Sequence, residues 1–127
     1  MLLPMSADAQ TRRVAFQLRV KPDRLDEYLE RHTAVWPEFL AEMEAAGVRN
    51  YSIFSRGDGV LFGYYECDDP AASQAQLTAT DVDARWQAEM EEFFDRSAVG
   101  LEGFTDLVEV FNLDAQLSRA RAEGFAG

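Results

Sequence analysis

The chain is poor in the residues that build metal centres and covalent staples. Among 127 residues there is one histidine, His32, and one cysteine, Cys67. A lone cysteine excludes an internal disulfide, and one Cys with one His falls short of the several ligands a structural zinc site needs. Only a carboxylate-built site for a hard cation stays open. Cationic residues are scarce as well: 12 Lys and Arg stand against 23 Asp and Glu, a formal charge of −11. With no basic run to track phosphates, neither nucleic acid nor an anionic membrane surface is an expected partner. No apolar run reaches the roughly 18 residues of a membrane span. The opening segment MLLPMSADAQ has neither the basic start nor the apolar centre of a secretory signal, so a cytoplasmic protein is expected.

What is plentiful is apolar. Hydrophobic residues make up 47% of the chain, with nine Phe, four Tyr and two Trp, enough for one domain with its own core. Residues 1–11 read as a loose leader, 12–113 as the folded domain, and 114–127 as a tail with a short helix. Residues 13–20, RVAFQLRV, alternate as a strand with one buried face. Lys21-Pro22-Asp23 then signals helix entry. A helix through Tyr28 and His32 must break near Trp36, because Pro37 opposes helical geometry in the residue before it. A second helical piece, with Phe39, Leu40 and Met43 inward, ends at Gly47.

Residues 48–55 and 60–67 alternate again around Arg56-Gly57-Asp58-Gly59, which predicts a hairpin; Gly63 in mid-strand marks a bulge or a close approach. Pro70 opens a short helix. A further helix capped by Thr80 or Asp81 carries Val82, Trp86, Met90, Phe93 and Phe94 on one stripe. Residues 97–105 read as a loop and 106–113 as the last strand. The order β, α, β, β, α, β is that of a ferredoxin-like sandwich in the α+β class. Strands two and three are apolar on both sides, so two copies packing sheet to sheet into a dimeric α+β barrel is the expected assembly.

The chemistry concentrates in YLERHTAVWPE, residues 28–38. Leu25, Tyr28, Leu29 and His32 share a helical stripe, so the histidine points inward. An inward imidazole is either a hydrogen-bonded core group or a general acid or base in a cavity, and periodicity does not separate the two. Trp36 fits a wedge in the bent crossover. Glu38 fits either a first-turn carboxylate or a proton-transfer group.

These residues resemble the L-rhamnose mutarotases over about residues 12–113. The resemblance is carried by Tyr28-x-x-x-His32, by VWPE at 35–38, by the Gly-x-x-Asn-Tyr-Ser-Ile run at 47–53, by TDV at 80–82 followed by Arg85-Trp86, and by EVF at 109–111. It implies a cofactor-free homodimer that interconverts the α and β anomers of a 6-deoxyhexose sugar, most readily L-rhamnose. It further implies His32 as proton donor, Tyr28 and Tyr51 as substrate contacts, and Trp86 as the first of a Trp pair beside the sugar. Gln87 stands where that pair has its second member. Beyond Phe94 the chain reads DRSAVGLEGFTD in place of an Asn/Pro-rich loop, a second departure on the sugar side. The same barrel could instead carry a non-catalytic ligand-binding module or a monooxygenase-like enzyme with His32 on haem. Colour separates the haem protein from a mutarotase.

Overall fold

The computed structural model describes residues 11–95 and 104–127. Its elements are β1 (Arg12–Arg19), α1 (Leu25–Arg31), α2 (Pro37–Ala45), β2 (Arg49–Ser55), β3 (Val60–Cys67), α3 (Pro70–Thr78), α4 (Asp81–Met90), β4 (Phe104–Leu107) and α5 (Leu113–Ala122). The four strands form one antiparallel sheet in the order β2-β3-β1-β4, the ferredoxin-like arrangement expected from the alternation of strands and helices.

Alternation along the strands sorts the two faces. Phe16 and Leu18 of β1 sit opposite Gly63 and Leu61 of β3, and all four are buried beneath the helices. Their neighbours Ala15, Gln17, Phe62 and Tyr64 point to the other face. Against the covered face pack Leu25 and Tyr28 from α1, Phe39 from α2, Leu77 from α3, and Val82, Trp86 and Met90 from α4. Phe93, in a turn of 3-10 helix after α4, is fully buried and receives the Arg24 guanidinium 4.5 Å above its ring. Burying a side chain of that size stabilises the fold by about 1.5–3 kcal/mol.

Two glycines of the hairpin have distinct steric causes. At Gly59 the backbone is left-handed (φ 103°) and a Cβ would stand 2.6 Å from the Val20 carbonyl oxygen. At Gly63 a Cβ would enter the Phe16 ring. The close approach predicted at Gly63 is thus real, while the bulge lies elsewhere, between Arg49 and Ser52 of β2. Asn50 adopts φ 51° there, a conformation Asn tolerates better than most residues.

That bulge corrects the expected strand pattern, because Val48 joins the buried side although simple alternation groups it with Phe54. Other expectations also shift. Leu29 is exposed: of the expected stripe only Leu25 and Tyr28 are buried, and His32 is half-buried. On α2, Phe39 is buried but Leu40 is exposed. The last strand is Phe104–Leu107 rather than 106–113: it pairs with Ala15 to Leu18 and then leaves the ladder, so that Arg13 meets Glu109 through a side-chain bond of 2.7 Å instead of through the backbone. Beyond it Val108 and Val110 are 85% and 90% exposed. The expected loop at 97–105 lies mostly outside the described residues, as does the leader up to residue 10. The terminal helix is present as α5, capped by the Asn112 side chain accepting from the Ala115 N–H.

Candidate active site

Between the sheet and the helices opens a cleft of about 920 Å³. Tyr28, His32, Tyr51, Trp86 and Gln87, the five residues singled out in the sequence, all line it. Glu38 does not; it is exposed in the first turn of α2, where its charge suits the helix N-terminus.

Each group is placed by local structure. Trp36, extended at φ −55° and ψ 128°, ends the first helical segment, and Pro37 starts α2 with its ring in the first turn. The break turns Trp36 edge-on to Trp86, with centroids 5.1 Å apart. His32 is the residue after α1, and it keeps a helical backbone (φ −90°, ψ −2°), which is why it still shares a face with Tyr28. Its ring lies 4.3 Å from the Tyr28 ring and 5.4 Å, edge-on, from Trp86. Arg31 bonds Glu89 at 2.8 Å and so joins α1 to α4, the helices that carry His32 and Trp86. Both partners are solvent-exposed, and such a pair stabilises by about 1 kcal/mol at most.

The His32 Nδ1 is 2.8 Å from the Tyr28 carbonyl oxygen. A carbonyl only accepts, so Nδ1 carries the proton and Nε2 holds the lone pair in the neutral ring. Nε2 has no hydrogen-bond partner among the described residues. Burial lowers the imidazole pKa, and the bond to Tyr28 opposes this only in part. The ring is therefore neutral near pH 7. Burial likewise raises the Tyr28 phenol above its ordinary range. Tyr51 is pushed up to about 12, by desolvation first and by Tyr65 second. Tyr51 keeps 40% of its surface open, yet its ring is walled by Phe16 and Tyr65 at 6.2 and 5.3 Å. Both phenols stay neutral and can donate or accept.

The sequence reading passed over Asp83, Tyr65 and Gln74, which also line the cleft. Gln74 donates to the Tyr65 hydroxyl at 3.3 Å, and the Asp83 carboxylate accepts from Gln87 at 3.2 Å. A signal for Asp83 was available, since 83, 86, 87 and 90 form an i, i+3, i+4, i+7 stripe. Among the described residues no group of three or more His, Cys, Asp or Glu is placed to hold a metal ion, and no helix is long and apolar enough to cross a membrane.

Fold and cleft together define a ferredoxin-like α+β protein with an aromatic-walled cleft and one neutral imidazole inside it. The family model for L-rhamnose mutarotase matches residues 13–113. An L-rhamnose mutarotase of Oceanobacillus iheyensis is 36% identical over 104 residues, 81% of this chain and 99% of that protein. One from Burkholderia orbicola is 41% identical over 92 residues, 71% of this chain and 84% of that protein. The crystal structure of the L-rhamnose mutarotase from Formosa agariphila has the same fold, with TM-score 0.64 and 24% identity over 80% of this chain and 98% of that one. This chain belongs to the L-rhamnose mutarotase family.

Proposed function

We propose that the chain interconverts the α and β anomers of a 6-deoxyhexose, L-rhamnose first among them, with His32 as the proton-transfer group. The observation that carries this is the tautomer of His32: a neutral ring, fixed through Nδ1, with a free Nε2 in a cleft of sugar-binding character. Nε2 takes the proton of the anomeric hydroxyl. The O–H electron pair forms the C1=O1 bond, the bond from C1 to the ring oxygen breaks, and the ring oxygen takes the proton back from the imidazolium. The aldehyde turns about C1–C2, and the reverse steps close the ring on the opposite face. One nitrogen serves both oxygens because both are bonded to C1, and such acid-base help is worth about 10² to 10⁴ in rate. Nothing is oxidised, and the reaction as written uses no cofactor.

Tyr28 and Tyr51 supply hydroxyls to the sugar in this reading. Trp86 offers an apolar plate to its C–H face, and Gln87 an amide at the rim. Sheet-to-sheet dimerisation and a cytoplasmic location belong to the same proposal. The dimer is supported by Phe54 and Leu107, 64% and 41% exposed on the face away from the helices. Exchange NMR of the anomeric protons of L-rhamnose, with and without protein, tests the activity; cross-peaks unchanged by the protein would defeat it.

A further inference from the structure

The cleft holds a carboxylate with no part in this mechanism. Asp83 is only 5% exposed, yet it lines the cleft. Its Oδ1 accepts from the Gln87 side-chain nitrogen at 3.2 Å, and its Oδ2 has no hydrogen-bond partner among the described residues. The amide orientation follows from chemistry, since a carboxylate accepts from the NH₂ end. Oδ2 keeps its access to the cleft, where a bound group with a proton to donate can reach it. The carboxylate itself is well held. Asp83 sits in the first turn of α4, where free backbone N–H groups suit a negative side chain, and its own N–H bonds the Thr80 hydroxyl at 3.2 Å.

Asp83 lies one helical turn before Trp86 on the same face of α4, while His32 meets Trp86 from α1. A pyranose lying against the indole can thus reach His32 with its anomeric side and Asp83 with a hydroxyl remote from it. We propose that Asp83, oriented by Gln87, is a specificity-determining residue that accepts a hydrogen bond from one non-anomeric hydroxyl of the sugar. The assignment rests on the mutarotase reading of the cleft. It makes this chain select for that hydroxyl: a sugar lacking it leaves the carboxylate unpaired, a penalty far larger than a lost apolar contact.

The test is an affinity titration, by saturation-transfer NMR, of L-rhamnose, L-mannose and their monodeoxy derivatives on the wild type, Asp83→Ala and Asp83→Asn, with anomer exchange read on the same samples. Alanine suits a helix, and circular dichroism checks that each variant is folded. Asp83→Ala is expected to weaken L-rhamnose binding by on the order of 10- to 100-fold, with Asp83→Asn in between. For the one monodeoxy sugar that lacks the recognised hydroxyl, wild type and Asp83→Ala should bind equally. A loss of the same size for every sugar, or no loss for any, overturns the proposal. Sugar binding without any anomer exchange would defeat the mutarotase reading instead, and the affinity pattern would still decide the role of Asp83. A wild type that binds none of the sugars overturns both.

Discussion

The imidazole of His32 turns back on its own helix, its Nδ1 2.8 Å from the main-chain oxygen of Tyr28. One hydrogen bond thereby selects the tautomer, fixes the ring against Tyr28 and leaves Nε2 to the cleft. The residue four positions earlier thus acts on His32 twice, through its carbonyl as an anchor and through its ring as a wall.

Burial depresses the His32 pKa, and this sets the direction of the pH response. The proposed reaction uses the neutral ring, so the acidic limb of kcat/KM should lie below the ordinary imidazole value of about 6.5, with little change from there through neutrality. The same shift acts on folding. Between the unfolded and the lowered folded pKa the unfolded chain binds more protons, so stability is full above about 6.5 and falls as the pH drops through that window. His32→Gln should flatten this part of the stability curve. Urea unfolding from pH 7.5 down to 5, on both proteins, checks it; identical slopes would contradict it.

Tyr28 is buried, but its hydroxyl has no hydrogen-bond partner among the described residues. Tyr28→Phe should therefore leave the melting temperature nearly unchanged while raising KM by about 2- to 10-fold, the worth of one neutral hydrogen bond to the sugar. A clear loss of stability with unchanged KM would make the phenol a structural group.

Gly63 touches the face of Phe16, whose ring also meets Tyr51 at 6.2 Å and Phe104 at 5.5 Å. Gly63→Ala should destabilise by about 1–3 kcal/mol through overpacking, offset in part by the stiffer unfolded chain. The displaced Phe16 should also disturb the cleft wall at Tyr51. Thermal unfolding beside KM measures both, and an unchanged melting temperature would show that the ring has room to move.

Phe54 lies in β2 on the open sheet face. A charge placed there would be buried in a sheet-to-sheet dimer and harmless in a monomer. Phe54→Asp should convert a dimer to a folded monomer by sedimentation equilibrium, and a wild type that is itself monomeric at micromolar concentration would contradict the assembly.

The order of elements was legible because it rests on local periodicity. Period two marks residues 13–20 and 60–67, the proline at 37 forces the break, and Thr80 announces α4. What escaped depends on long-range pairing. A left-handed Asn50 flips Val48 inward, and β4 leaves the ladder at Leu107 although β1 runs on to Arg12. The site divides in the same way. Periodicity alone gave an inward His32, and the family resemblance named Tyr28, Tyr51, Trp86 and Gln87 beside it, but that His32 stands against Trp86 of α4 is a tertiary fact. Asp83 was missed because an acidic residue beside a helix N-cap reads as solvated until its burial is seen.

Anomer exchange of L-rhamnose in the wild type and His32→Ala, measured by exchange NMR beside thermal unfolding of the same samples, bears most directly on His32 as the proton carrier. The account predicts that exchange falls by about 10² to 10⁴, while stability falls by only about 0.5–1.5 kcal/mol for the lost bond to Tyr28. Undiminished exchange in a folded but less stable variant would contradict it.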